Sequence, residues 1–262
     1  MERKVIATVA IGDKGQEWAD ISHPWMRRYA EACGADFFSL SGSGLNDLWP
    51  GFSKLLLGRL LEDYDRLIYV DSDILISPNA PNLFDVVPSE SVGATRIDQL
   101  SPHEAPVLAN GWVKNDIELS QTMFGSVGWS DTYYNSGALV FSKAHKEIFD
   151  RALKSAQSWH EVSTDRSQET FRVFADQSLF NYWTQALQFD VYDIGHAFNH
   201  TPAFNLRNHR YASHFSHYVR MRPHRRGNRS RQMRNDSWLM RHPKLHKFLI
   251  QYPKIARITD KI

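Results

Sequence analysis

The sequence predicts an α/β fold with a largely parallel sheet, and three observations support this prediction. Short apolar stretches typical of strands buried on both faces alternate with longer segments of helical periodicity. The chain has 262 residues, of which 42% are hydrophobic and 13% aromatic, which suffices for one large core and excludes global disorder. No apolar run approaches the roughly 18 to 20 residues that a membrane-spanning helix requires.

The individual elements follow from the hydrophobic pattern. Strands are predicted at residues 5–11, 35–40, 66–70, 92–96, 136–141 and 189–193. Helices are predicted at residues 23–33, 52–64, 143–159 and 175–187. Between residues 98 and 131 there is little apolar periodicity, and Pro102, Pro106 and Gly111 punctuate the stretch. We expect a long loop there, either a lid over a binding site or a plain surface excursion.

The cysteine content and the N-terminus indicate the cellular environment. Cys33 is the only cysteine, which excludes an internal disulfide and a cysteine-based zinc cluster. The apolar stretch at residues 5–11 has no small-residue cleavage pattern, so we interpret it as a first strand rather than a signal peptide. We therefore expect a soluble, cytoplasmic protein, with peripheral membrane attachment as a further option.

A net charge of +2 conceals a basic C-terminal segment. From residue 207 onward there are 15 basic and two acidic residues, whereas the first 206 residues contain 16 basic and 27 acidic residues. We expect a main domain at residues 1–223 and a basic extension at residues 224–262, too polar at its start to join a core. The extension binds an anionic acceptor or phosphorylated lipid, docks on an anionic membrane, or is a solvated tail. No motif indicates nucleic-acid binding.

The sharpest chemical feature is a pair of aspartates at the end of a predicted strand. In DRLIYVDSDILIS (residues 65–77) the apolar stretch leads directly into Asp71, Ser72 and Asp73. Side chains two residues apart on a strand share a face, so both carboxylates enter the same cleft. Close carboxylates repel unless a cation lies between them, and Mg²⁺ and Mn²⁺ prefer oxygen ligands. The motif therefore predicts a divalent-metal site.

Four blocks, in order, resemble the glycogenin-like, retaining nucleotide-sugar glycosyltransferases of the GT-A fold. They are FSKLLLGRLLEDYDRLIYVDSDILISPNAPNLFDV (52–86), GWSDTYYNSGALVFSK (128–143), ADQSLFNYW (175–183) and SHFSHYVRMRP (213–223). The resemblance implies a Rossmann-like mixed, mainly parallel sheet flanked by helices. It also implies metal-dependent transfer of a hexose from a nucleotide-diphosphate sugar, a UDP-sugar by family default, to a glycan, glycolipid or other hydroxyl acceptor.

The same resemblance implies the residues of the catalytic centre. Asp71, Asp73 and His214 would hold Mn²⁺ or Mg²⁺ at the phosphates of the donor. His214 opens a degenerate H-x-x-G-x-x-K-P ending, in which His217 replaces the glycine and Arg220 the lysine near the diphosphate. The pair Asp176 and Gln177 would face the reactive carbon of the sugar. There Gln177 would stabilise positive charge while the acceptor attacks on the side of the leaving group.

Further binding residues are implied by the family blocks or by position. Lys54, Asn135, Ser136 and Gly137 would contact the donor, and Asp98 after a predicted strand either accepts a sugar hydroxyl or is an ordinary loop acid. For the nucleotide, the implied residues are Val9, Ile11, Gly12 and Ser72. Asp176 also has a purely structural interpretation as the cap of the helix that follows it.

Other classes of protein remain compatible with the sequence. Aspartate-nucleophile phosphatases also carry D-x-D, but at the first strand and in the form D-x-D-x-(T/V), whereas the motif here begins at residue 71 and continues with Ile74 and Leu75. A catalytically decayed sugar- or anion-binding module is the non-enzymatic alternative, although it would be expected to lose a metal ligand. Residue spacing does not decide between retention and inversion, because Asp98, Asp131 or Glu118 could serve as a general base.

Overall fold

The computed structural model describes residues 2–42, 44–45, 48–164, 175–204, 210–219 and 229–259. Its strands are β1 (Lys4–Ala10), β2 (Asp36–Ser41), β3 (Arg66–Val70), β4 (Ile74–Ile76), β5 (Val92–Arg96), β6 (Tyr134–Ser142), β7 (Val191–Asp193) and β8 (Phe215–His217). The main sheet has the order β2-β1-β3-β6-β5-β7, and β4 pairs with β8 in a separate two-stranded sheet.

The helices cover both faces of the main sheet. They are α1 (Gly12–Cys33), α2 (Leu83–Val86), α3 (Pro106–Ala109), α4 (Trp112–Phe124), α5 (Lys146–Thr164), α6 (Ala175–Ala186), α7 (Arg229–Met240), α8 (Pro243–Gln251) and α9 (Pro253–Thr259). A 3₁₀-helix at Pro50–Glu62 packs with α5 and α6 on one face, and α1 and α2 pack on the other. Among the described residues, no helix is long and apolar enough to cross a membrane.

The direction of strand β6 determines which strand ends lie side by side in the main sheet. β1 is parallel to β2 and β3, and β5 is parallel to β7, but β6 runs antiparallel to both β3 and β5. Because of this reversal, the beginning of β6 meets the end of β3, where Asp71 follows. The mixed, mainly parallel sheet flanked by helices confirms the predicted fold class.

Strand β1 shows how the sequence builds the two halves of the core. Val5 and Ala7 face the side covered by the 3₁₀-helix and α5, while Ile6 faces α1. All five residues of β3 are buried, as the continuous apolar stretch predicts for a central strand. The predicted bounds of β3 and β5 are confirmed to the residue.

Two predictions about elements are wrong. The helix after β1 begins at Gly12 rather than at residue 23, and it continues through Pro24. The expected loop between residues 98 and 131 contains α3 and α4. The buried residues of α4 include Asp116, which accepts hydrogen bonds from the hydroxyls of Tyr133 (2.6 Å) and Ser178 (2.6 Å). The buried polar residues interrupt the apolar period of this helix, which explains the missed assignment.

The basic C-terminal segment is largely helical. Helix α7 packs on α1, and its Met233 is completely buried with Trp25 and Leu75. The interpretation of the segment as a solvated tail is therefore wrong for α7. The predicted domain boundary between residues 223 and 224 lies outside the described residues and stays a prediction.

Candidate active site

A tight turn between β3 and β4 carries the two aspartates. The Asp71 backbone N–H donates to the carbonyl of Gly137 on β6 (2.8 Å), and Ile74 N–H donates to the carbonyl of Asp71 (3.0 Å). On the other side, Tyr218 N–H donates to the carbonyl of Asp73 (2.9 Å). The main chain of the D-x-D motif is thus held between β6 and the end of β8.

Three ligand atoms converge at this turn. His217 Nε2 lies 3.6 Å from Asp71 Oδ2 and 3.4 Å from Asp73 Oδ1. One ligand atom from each of the three side chains lies within 4.8 Å of the other two. Asp73 and His217 are buried, whereas 25% of the Asp71 side chain is exposed. The cluster therefore opens to solvent beside Asp71.

The histidine in this cluster is not the one that the sequence led us to expect. In the antiparallel pair, His217 lies opposite Ile74, next to Asp73, while the carbonyl of His214 accepts from Ser77 N–H at the far end. Three residues of strand separate the two histidines by roughly 10 Å. The His214 ring packs against Phe198 instead, and burial lowers the pKa of His214. His217 thus replaces His214 as the candidate third ligand.

A chain of hydrogen bonds fixes the His217 ring. Asn135 Oδ1 accepts from Gly137 N–H (3.0 Å) and from Asn199 Nδ2 (2.6 Å). Asn199 Oδ1 consequently faces His217 Nδ1 (2.8 Å), which donates to it. A neutral imidazole with a proton on Nδ1 presents the Nε2 lone pair to the two carboxylates. Three electron-rich atoms facing one another fit a divalent cation between them, and this donor set suits Mn²⁺ or Mg²⁺.

Two cations bind the outer oxygens of the aspartates. Lys54 Nζ lies 3.2 Å from Asp71 Oδ1, to which the Tyr69 hydroxyl also donates, and Arg229 Nη1 lies 2.6 Å from Asp73 Oδ2. Burial favours the neutral acid, but the positive charge that His217 carries when it is protonated, together with Arg229, holds the pKa of Asp73 below its ordinary value. Burial raises the pKa of Asp71, against the opposing effect of Lys54.

Lys54 connects the cluster of Asp71, Asp73 and His217 to the first turn of α6. Its ammonium lies 2.8 Å from Asp176 Oδ2, which also accepts from Ser136 Oγ (2.8 Å). Burial alone would lower the pKa of Lys54, but the carboxylates of Asp176 and Asp71 outweigh it and raise the pKa. Lys54 is therefore a buried side chain that stays charged because of its two carboxylate partners.

Gln177 is held by the start of β6. Its Oε1 accepts from Asn135 Nδ2 (3.0 Å) and Ser136 N–H (3.2 Å), and its Nε2 faces the Tyr133 hydroxyl (3.5 Å). One hydrogen-bonded network therefore extends from His217 through two asparagines to Gln177. Eight residues predicted from the sequence come together in this way: Lys54, Asp71, Asp73, Asn135, Ser136, Gly137, Asp176 and Gln177.

The remaining predicted residues have simpler surroundings. Asp98 pairs with Arg96 (2.6 Å) and accepts from Tyr133 N–H (2.8 Å). The carbonyl of Ser72 accepts from Ser22 Oγ (2.8 Å), which ties the aspartate turn to α1. Val9 lies in β1, Ile11 precedes α1, and Gly12 begins α1 with φ of 69°. Arg220 lies outside the described residues.

The sequence reasoning missed His217 as a candidate ligand, and it missed Asn199 and Arg229 altogether. The segment SHFSHY offered two histidines, and only the pairing of β8 with β4 distinguishes them. Asn199 and Arg229 lie in stretches without a recognisable motif. Their roles depend on contacts between segments far apart in the chain.

A mixed sheet with D-x-D at the end of a central strand, beside an antiparallel strand, agrees with the GT-A glycosyltransferase fold that the four sequence blocks resemble. The model of glycosyl transferase family 8 matches residues 50–223. The chain therefore belongs to this family, and the predicted resemblance to glycogenin-like glycosyltransferases is confirmed. None of the curated protein sequences compared with the chain matches it.

Solved structures show the same fold at low identity. A glycosyltransferase involved in the glycosylation of the major capsid of PBCV-1 shares 12% identity, with a TM-score of 0.56 over 90% of this chain and 99% of that chain. The galactosyltransferase LgtC, in complex with donor and acceptor sugar analogues, shares 15% identity, with a TM-score of 0.54 over 88% and 95%. GlyE of Streptococcus pneumoniae TIGR4 shares 12%, with a TM-score of 0.54 over 96% and 64%.

Proposed function

We propose that this glycosyltransferase uses Mn²⁺ or Mg²⁺ to transfer a hexose from a nucleoside-diphosphate sugar to a hydroxyl group of a glycan or glycolipid. The observation that carries the proposal is the convergence of Asp71 Oδ2, Asp73 Oδ1 and His217 Nε2. The description of LgtC with donor and acceptor sugar analogues supports the substrate classes. UDP-sugars are the first donors to test, by the family default.

The metal would be held by Asp71, Asp73 and His217. A bound divalent ion offsets the charge that builds on the departing nucleoside diphosphate. Asn199 keeps the proton on His217 Nδ1, so that Nε2 remains free to coordinate. The Lys54 ammonium holds the carboxylates of Asp71 and Asp176 in place at the floor of the site.

We propose that transfer proceeds with retention of the anomeric configuration. The Asp176 carboxylate is bound by Lys54 and Ser136, and the adjacent Gln177 is a poor nucleophile. In the mechanism that this arrangement favours, the acceptor hydroxyl attacks on the side of the leaving group, and its proton passes to the departing phosphate. Gln177 stabilises positive charge at the reactive carbon. NMR of the first-formed product tests this proposal, and an inverted anomer would contradict it.

The test of the function is turnover of a panel of nucleotide sugars with Mn²⁺. We expect release of nucleoside diphosphate by the wild-type protein, its loss with EDTA, and a drop of at least 100-fold in Asp73→Asn, because the amide gives up a charged ligand. Asp150→Asn on the exposed side of α5 is the matched control and should retain full activity. Binding of nucleotide without turnover would favour the decayed module, and release of phosphate from a phosphomonoester would favour the phosphatase.

We also propose that α8 and α9 dock peripherally on an anionic membrane surface. Their exposed apolar side chains, Leu245, Phe248, Ile250, Tyr252 and Ile255, lie among the basic residues Lys244, Lys247 and Lys254. Such a combination is typical of interfacial helices. We expect co-sedimentation with phosphatidylserine vesicles but not with phosphatidylcholine vesicles. Binding should decrease in high salt and in Phe248→Ser, and failure to bind anionic vesicles at low salt would refute the proposal.

A further inference from the structure

The first residue of α7 connects the C-terminal segment with the D-x-D motif. Arg229 Nη1 donates to Asp73 Oδ2 at 2.6 Å, and the guanidinium lies over the Trp18 ring, 4.2 Å from its centroid. Trp18 belongs to α1, so Arg229 is held between α1 and the aspartate turn. A stacked guanidinium that makes a short ion pair loses little further freedom when it binds a ligand.

Helix α7 is fixed firmly enough to hold this arginine in place. The buried Asp236 accepts from Arg210 Nε (2.5 Å), from the Tyr218 hydroxyl (2.6 Å) and from the Tyr211 hydroxyl (3.3 Å). Trp25 Nε1 donates to Ser237 Oγ at 2.9 Å. These buried contacts anchor α7 to α1 and to the segment that contains β8.

In the state that binds a metal, with His217 neutral, the charges around the aspartates are unbalanced without a ligand. Asp71, Asp73 and Asp176 contribute three carboxylates, and Lys54 and Arg229 contribute two cations. A divalent ion would leave the centre with a net positive charge, which a diphosphate would neutralise. Arg229 has 23% of its side chain exposed, like Asp71, whereas Asp73 and His217 are buried. Of the two described cations of this cluster, Lys54 and Arg229, an anion that approaches from solvent therefore meets Arg229, because Lys54 is buried.

We propose that Arg229 binds the diphosphate of the nucleotide donor and shares its negative charge with the metal. This inference rests on the proposed function, and it makes the C-terminal helix part of the donor site. A guanidinium presents a planar fork of donors that matches phosphate oxygens, and only Nη1 is engaged by Asp73. The other role open to Arg229 is to position Asp73 for the metal, and the two roles predict opposite effects on metal binding.

The test is calorimetric binding of Mn²⁺ alone, and then of UDP, GDP, CDP and ADP at saturating Mn²⁺. In Arg229→Gln we expect the affinity for the nucleotide that binds to wild type to fall about tenfold or more, since a charged hydrogen bond is lost. Affinity for Mn²⁺ alone should be equal or higher, because a positive charge next to Asp73 has been removed. Arg229→Lys keeps the charge and should retain most of the nucleotide affinity.

Arg234→Gln is the matched control. Arg234 lies on the same helix, is 58% exposed in its side chain, and pairs with Glu17 (2.9 Å) rather than with the aspartate turn. This variant should bind Mn²⁺ and nucleotide like wild type. Melting temperatures without ligand verify that each variant is folded.

Three results would overturn the inference. The first is unchanged nucleotide affinity in Arg229→Gln, and the second is weaker binding of Mn²⁺ alone, which would make Arg229 a positioning residue. The third is a loss in Arg229→Lys as large as in Arg229→Gln. If the wild-type protein binds none of the four nucleotides with Mn²⁺, the proposed function fails together with the inference. If the wild-type protein binds a nucleotide and one of the three results above is found, only the inference about Arg229 fails.

Discussion

At the scale of single residues, the proposed metal site depends on which histidine faces Asp71 and Asp73. His217 Nε2 lies within 3.6 Å of both carboxylates, whereas His214 packs against Phe198. We expect His217→Ala to weaken Mn²⁺ binding by at least tenfold, because one of three ligands is lost. Titration of free Mn²⁺ by electron paramagnetic resonance measures the affinity.

His214→Ala is the control for this experiment, because it removes an imidazole from the same segment without touching the cluster. It should bind Mn²⁺ with wild-type affinity. Equal losses in both variants, or a loss only in His214→Ala, would refute the assignment of His217 as the third ligand.

Cys33 illustrates how burial controls the reactivity of a single residue. Burial raises the pKa of the Cys33 thiol to about 11. The nucleophilic thiolate is therefore scarce in the folded protein at neutral pH. We expect maleimide to label native protein slowly at pH 7 and urea-unfolded protein quickly, as measured by mass spectrometry. Equally fast labelling of native protein would contradict the burial of this thiol.

At the scale of elements, the 3₁₀-helix Pro50–Glu62 must lie close to α5 to place Lys54 in the site. Gly58 permits this approach, since a Cβ there would lie 2.4 Å from Phe149 Cβ. Gly58→Ala should lower the free energy of unfolding by about 1–3 kcal/mol, as overpacking does in other cores. Urea denaturation measures the change.

Gly128→Ala provides the comparison, because a Cβ at Gly128 would meet no atom within 4 Å. Its stability should stay within about 0.5 kcal/mol of wild type. If Gly58→Ala were as stable as Gly128→Ala, the close packing of the 3₁₀-helix on α5 would be wrong.

Several elements and residues could be predicted from local sequence alone. The strands β3 and β5 are continuous and apolar, so their bounds can be predicted from the hydrophobic pattern. The position of Asp71 and Asp73 is then known as well, because the D-x-D motif comes directly after β3 in the sequence. Helix α4 buries Asp116 and Ser120, which interrupt its apolar pattern and hide it from a reading of the local sequence. The choice between His214 and His217 depends on the register of β8 against β4, which is set by contacts distant in sequence. The role of Asn199 likewise depends on contacts with residues that are distant in sequence.

At the scale of the whole molecule, helix α7 of the basic C-terminal segment packs on the main domain and is not a solvated tail. Asp236 on α7 is buried with Arg210, which its carboxylate neutralises. Asp236→Asn keeps the shape but leaves the guanidinium without a counter-charge. We expect a loss of about 3–5 kcal/mol in the free energy of unfolding, the usual cost of breaking a buried ion pair.

Asp20→Asn, an exposed position on α1, is the control for the loss of one negative charge. Its stability should remain close to that of the wild-type protein. A similarly small effect in Asp236→Asn would show that α7 is not anchored by this network, and the position of Arg229 beside Asp73 would lose its support.

The most direct test of the central claim is a thermal-shift comparison of UDP, GDP, CDP and ADP, each with and without Mn²⁺. A ligand at 100 times its dissociation constant stabilises the folded state by about 2.7 kcal/mol, which shifts the melting temperature by several degrees. We expect a shift with at least one nucleotide that disappears when Mn²⁺ is withheld and in Asp73→Asn. A shift that persists without metal, or no shift with any nucleotide, would contradict a metal-dependent donor site at Asp71, Asp73 and His217.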